Sequence, residues 1–238
     1  MSGKEPLWAG GPGEILRHGI SLLTEDSDTN RRLAMISIDN SVELMMQTFI
    51  QLPKRVTGLD LTRRERDEVC KNFPSLLDGI ETHAAELVVG FDLGDIEWFH
   101  RLRNQLYHDG NGLTVERQKV ELYAELAQRL FEALYGVKLD VPDTDNMRRF
   151  GEFMEAWDEI EKATSKQSNN RRGFMTESSL RELRENGKLS EENLLEIREL
   201  RKLRNELVHG MREPKETLSS QVLERAKKLS QLVVEALI

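Results

Sequence analysis

The sequence predicts an all-α protein built as two antiparallel helical bundles, and three observations carry that expectation. The hexapeptide RNQLYH at residues 103–108 returns as RNELVH at residues 204–209, a displacement of 101 positions. The apolar register travels with it: Ile96, Phe99, Leu102 and Leu106 correspond to Ile197, Leu200, Leu203 and Leu207. Glu, Leu, Arg and Ala recur at helical spacing. Only 6 Pro interrupt 238 residues, and Val and Ile rarely alternate with polar residues as strands require. A long internal repeat of this kind organises the fold before any single element does.

Taken in order, residues 1–13 read as a loose Gly- and Pro-containing leader, followed by a short helix over Glu14–Leu23. Asp28 or Thr29 is the expected N-cap of a long helix that Pro53 stops. Thr62 and Glu65 form a capping-box pattern opening the next helix, and Pro74 separates it from SLLDGIETHAAELVVG. The first repeat helix runs from Asp95 to Tyr107, HDGNG breaks it, and TVERQKVELYAELAQRLFEALYG closes the first half. Residues 137–146 read as a linker, which places the domains at 1–140 and 141–238. In the second half, Phe150, Phe153, Trp157 and Ile160 form one apolar stripe, and SKQSNNRRG is a polar, mobile loop. Gly187 ends a helix as its C′ residue, Ser190 caps the second repeat helix, and His209–Gly210 end it. The last helix follows Pro214.

A net charge of −8 argues against broad, sequence-independent binding to nucleic acid but leaves room for a small RNA site with local Arg residues. Lys54–Arg55, Arg63–Arg66, Arg148–Arg149 and Arg171–Arg172 are candidate basic clusters or simply solvated helix ends. The single cysteine, Cys70, permits neither an intrachain disulfide nor a Cys-rich metal site. No signal-like or membrane-spanning apolar run is present, so a cytoplasmic location without membrane contact is expected.

Asn104 and His108 lie four residues apart on a helix and share a face turned away from the bundle's own core. Arg103 sits at the edge of the apolar stripe, where its stem can pack while its guanidinium reaches out. Arg204, Asn205 and His209 repeat the arrangement. Two such faces could bring two His and two Arg to one cleft. A His pair can serve as general base and general acid near neutral pH, Arg can stabilise a crowded phosphate, and Asn can orient an imidazole without titrating. RNA cleavage by its own 2′-hydroxyl needs these parts and no metal. Two His and two Asn without paired carboxylates make a poor divalent-cation site, so no metal or cofactor is expected. The competing reading is structural: Arg and Asn link each helix to its neighbour, and His caps a helix C-terminus. His18, His83 and His100 have no repeated partner and read as core-edge or surface residues.

LRNQLYHDG and LRNELVHGM resemble the Arg-x4–6-His signature of the HEPN superfamily, whose Arg is followed by a polar residue, often Asn. SIDNSVELMMQTFIQLP, with Glu43, is similar to the family's first long helix. The resemblance implies two HEPN-type bundles packed as an intramolecular pseudo-dimer with a composite site. It implies a metal-independent endoribonuclease, a toxin or phage-defence effector. Arg103 and Arg204 would bind the scissile phosphate, His108 and His209 would share acid and base roles, and Asn104 and Asn205 would position them. The implied partners are an RNA substrate, an antitoxin or other regulatory protein, and a second copy of the chain. The alternative is a non-catalytic HEPN-like module that binds RNA, a nucleotide or a protein. Some family toxins carry a modifiable Tyr two residues after the His; this chain has Gly110 and Met211 there. The two copies also diverge at Tyr107 versus Val208 and at Asp109 versus Gly210.

Overall fold

The structure is a computed structural model that describes residues 6–108, 114–167 and 177–237; the side chains of His108, Lys166, Gln167, Glu177 and Ser178 lie outside that description. Every regular element among the described residues is helical. The chain divides into two compact units, one comprising Met1–Val88 and Leu93–Asp143, the other Val89–Asp92 and Thr144–Ile238. Among the described residues no helix is long and apolar enough to cross a membrane.

The N-terminal unit holds α1 (Gly10–Ser21), α2 (Asp28–Gln51), α3 (Lys54–Thr57), α4 (Arg63–Val69), α5 (Phe73–His83), α6 (Leu93–His108) and α7 (Arg117–Tyr135). The helix α2 is its axis, packed on by α1, α7, α6 and α5. That position explains its apolar content on several sides: Met35, Ile38, Val42, Met45, Met46 and Ile50 are all fully buried. Ser27 caps α2 by accepting from the Asn30 N–H at 3.1 Å, one residue before the expected cap. Leu52 turns extended ahead of Pro53 and ends it. Arg66 donates to the Gln51 and Leu52 carbonyls that the helix end leaves open.

The leader departs from the sequence reading. A short 3-10 turn over Leu7–Ala9 runs directly into α1, which starts at Gly10 rather than Glu14. Pro12 lies in the first turn, where its missing N–H costs no helical hydrogen bond. Pro12 and Gly13 are buried, and the Pro12 carbonyl accepts from the Ser41 hydroxyl at 2.7 Å. Small residues there admit close approach to α2 instead of loosening the chain.

Thr62 and Glu65 form the expected reciprocal capping box at the start of α4, with Glu65 accepting from the Thr62 N–H at 2.7 Å. Pro74 does not stand between helices but sits in the first turn of α5, behind the Asn72 cap. Gly79 of α5 faces Val69 of α4 so closely that an added Cβ would lie 2.2 Å from a Val69 methyl.

The C-terminal unit holds α8 (Asp145–Gln167), α9 (Glu177–Glu185), α10 (Glu191–Val208), α11 (Pro214–Thr217) and α12 (Ser220–Leu237). The helix α8 buries the stripe Phe150, Phe153, Trp157 and Ile160 and packs against α12, α11 and α9. Pro214 opens only the single turn of α11; α12 begins six residues later. Gly187 takes a left-handed φ of 69° after α9, and the Lys188 N–H donates to the Leu183 carbonyl at 2.9 Å. Ser190 then caps α10 by accepting from the Asn193 N–H at 3.1 Å. Segments 109–113 and 168–176, which contain the Gly break after the first repeat and most of the polar loop, lie outside the described residues.

Replacing Gly79 by Ala drives its methyl into a β-branched, rotamer-restricted neighbour. Gly79→Ala is expected to lower stability by about 1–3 kcal/mol in urea titration. An unchanged midpoint would contradict the α4–α5 packing described above.

Candidate functional site

The first repeat helix is held by one buried carboxylate. Asp39 of α2 is fully buried. Its Oδ1 accepts from the Tyr123 hydroxyl of α7 at 2.8 Å. Its Oδ2 lies 3.0 Å from Nδ1 of His100 on α6, and 3.3 Å from Nε of Arg103 on the same helix. With a carboxylate as acceptor, His100 donates from Nδ1. The imidazole is also stacked flat on Phe73, 3.7 Å between ring centroids. Burial pushes the Tyr123 phenol well above its ordinary value, and the Asp39 charge pushes it further, so it stays a donor.

Arg103 completes the cluster. Its Nη2 donates to Asn40 Oδ1 at 2.6 Å and its Nη1 to Asn104 Oδ1 at 2.9 Å. Its Cζ lies 5.5 Å from the centroid of the exposed Tyr107 ring. The guanidinium is therefore turned inward onto α2, not outward as the helical projection suggests, because Asp39 is a buried charge that needs a cation beside it. The backbone of His108 closes α6. Glu43, four residues beyond Asp39, accepts from Gln47 at 3.0 Å.

The second copy separates its residues more sharply. Arg204 is 4% exposed, with Nη1 donating to Asn205 Oδ1 at 3.3 Å and lying 3.7 Å from Asp92 Oδ2. On the adjoining α8, Glu161 is buried and accepts from the Trp157 indole N–H at 2.9 Å. Burial raises the Glu161 carboxyl to about 8. The Arg204 charge opposes that rise, and Asp158 and Asp92 add to it. Both motif arginines thus lie beside buried carboxylic groups of their unit's longest helix, although different residues supply them.

Asn205 and His209 face away from that buried contact. They line an open groove of about 730 Å³ together with Arg181, Arg198, Arg201, Lys202, Glu206 and Met211. His209 is the C-cap residue, its N–H donating to the Asn205 carbonyl at 3.1 Å. Gly210 follows with φ of 68°, and the Met211 N–H donates to the Glu206 carbonyl at 2.8 Å. This Schellman turn fixes where the motif histidine leaves the helix. The projected shared face of Asn and His holds for this copy.

Sequence pattern does not single out Asp39, Asn40, Tyr123, Asp92 or Glu161 as neighbours of the motifs, and His100 reads there as a core-edge or surface residue. A lone acid within the apolar run AMISIDNSVELMM was the available signal for Asp39. Of the basic clusters, Arg148 and Arg149 are both paired with Asp145, and Lys54 pairs with Asp60 at 2.8 Å. Arg171 and Arg172 lie outside the described residues. Among the described residues no group of three or more His, Cys, Asp or Glu is placed to hold a metal ion. No family model matches the chain, nor does any curated protein or solved structure.

Two outcomes test the buried clusters. Asp39→Ala, which leaves His100 and Tyr123 without their acceptor and Arg103 without its counter-charge, is expected to cost about 3–5 kcal/mol in chemical denaturation. Tyr123→Phe, losing one hydrogen bond, should cost about 1 kcal/mol. Glu161 titrates near its ordinary 4.5 in the unfolded chain and at about 8 in the folded one. Between these values the folded chain holds a proton that the unfolded chain has released, so this contribution to stability falls as pH rises. Glu161→Gln should flatten the decline of Tm across that window and raise Tm at its alkaline end; a wild-type-like slope would contradict the assignment.

Proposed function

We propose that the chain is a metal-independent endoribonuclease of the HEPN kind, a toxin or phage-defence effector in which both Arg-Asn-x3-His motifs are required. The observation that carries this reading is the placement of Asn205 and His209 on one open, cation-lined face, at the fixed end of a helix whose sequence recurs 101 residues earlier. One motif histidine takes the proton of a ribose 2′-hydroxyl as its oxygen attacks the adjacent phosphorus. The other, protonated, gives its proton to the departing 5′-oxygen as the P–O5′ bond breaks. The products are a 2′,3′-cyclic phosphate and a free 5′-hydroxyl. Cationic side chains around the site stabilise the charge that builds on the phosphoryl oxygens. In this reading Arg204 acts by anchoring Asn205, and Arg103 by anchoring Asn104.

A second reading rests on the burial of Arg204 and the inward turn of Arg103. Arginines spent on their own unit suit a non-catalytic module that binds RNA, a nucleotide or a protein partner without turnover.

Wild-type protein and the His108→Ala/His209→Ala variant, incubated with total RNA and a chelator, separate the two. Chelator-resistant cleavage leaving cyclic-phosphate ends, reduced by at least about 100-fold in the variant, is the expected result. Equal cutting by the double variant would sink the assignment of the histidines.

A further inference from the structure

The cations of the groove exceed what a single phosphate needs, and the matching positions of the other repeat helix carry only one of those on α10. Arg198, Arg201, Lys202, Asn205 and His209 follow the spacing i, i+3, i+4, i+7, i+11 and so form one stripe along α10. At 1.5 Å per residue the stripe is about 16 Å long, enough for several consecutive phosphates. Arg181 of α9 flanks it. The groove lining holds four cationic side chains and one carboxylate, Glu206, which lies 3.9 Å from Lys202 and 2.7 Å from Arg212.

The corresponding positions of α6 are filled differently. Glu97 stands where α10 has Arg198, and Arg101 where it has Lys202; the two form an i,i+4 ion pair at 2.5 Å. His100 stands at the position of Arg201 and is turned inward onto Asp39. The first repeat helix thus pairs opposite charges where the second places like charges at i,i+4, an arrangement that weakens a helix. An anion laid along α10 meets a local excess of positive charge in a protein whose net charge is −8.

We infer that the α10 stripe, Arg198, Arg201 and Lys202 with Arg181 beside them, is a track for the phosphodiester backbone of single-stranded RNA, and that the two motifs are functionally unequal. This rests on the ribonuclease reading above and adds to it: the C-terminal unit grips the strand beyond the scissile phosphate, and the α6 positions do not. A single strand fits because one helix face flanked by a short helix is too narrow to span successive grooves of an RNA duplex. Among the described residues that line the groove, His209 carries the one ring, so those residues offer the strand charge and not a series of stacking platforms.

The test reads binding separately from cleavage. Fluorescein-labelled 2′-O-methyl oligouridylate has no 2′-hydroxyl to attack, so its anisotropy with full-length protein reports affinity alone. Arg198→Gln/Arg201→Gln/Lys202→Gln should weaken binding by at least about 10-fold at 0.15 M salt and reduce the slope of log K against log salt by about 2. Arg101→Gln, in the corresponding place on α6, should bind as wild type does. Arg201→Lys/Arg198→Lys should retain most of the affinity, which separates lost charge from lost folding. Wild-type affinity in the triple variant, an equal loss in Arg101→Gln, or no binding by wild type would each overturn the track. Polyglutamate of equal charge displacing the RNA at equal concentration would overturn it in favour of an acidic peptide. RNA cleavage that persists in the triple variant with unaltered binding removes the track and leaves the ribonuclease standing; strong binding with no cleavage of unmodified RNA does the reverse.

Discussion

A buried carboxylate cannot remain without donors, and that constraint shapes the N-terminal unit. Asp39 accepts from Tyr123 of α7 and His100 of α6 and faces the Arg103 guanidinium of α6 at 3.3 Å, so three helices meet at a single side chain. Its demand fixes the rotation of α6 about its own axis, because His100 and Arg103 both have to face it. Once that rotation is set, Tyr107 is exposed and Leu106 buried. The motif is therefore oriented by electrostatics as much as by its apolar stripe.

The C-terminal unit meets a similar demand by another route. Its long helix supplies Glu161, and an indole N–H takes the place of the phenol as donor. Arg204 is nearby, yet burial dominates and the carboxyl keeps its proton near neutral pH. Desolvation can outweigh one neighbouring cation. The two arginines of the repeated motif consequently live in unlike surroundings, one beside a buried carboxylate that also accepts from a phenol and an imidazole, one near a neutral acid.

Much of the helical architecture was legible in local sequence because its signals are local. Thr62 with Glu65, Ser190, Gly187 and the Phe150–Ile160 stripe act within a few residues of themselves. The leader was misread because Pro12 and Gly13 were judged as breakers, when the first turn of a helix tolerates both and close packing on α2 favours them. The Asp39 links were illegible for a different reason. They join residues 61 and 84 positions apart, and no periodicity encodes such a meeting. The raised Glu161 carboxyl is likewise a product of burial, which the sequence around it does not announce. The α10 stripe is written in the sequence at intervals of three and four, the spacing of helical neighbours, and runs of adjacent charges do not reveal it.

The helix α10 is closed at both ends, by Ser190 at its start and by the Schellman turn at Gly210. Its core contacts, Leu194, Ile197, Leu200, Leu207 and Val208, lie on residues distinct from those that line the groove. Substitutions at positions that share no partners act nearly independently. The groove face can therefore change its charge pattern over generations with little loss of foldability. The Asp39 cluster has no such latitude, since every member there serves the others. Of the two repeat helices, then, α10 carries the surface open to change and α6 the one held fixed.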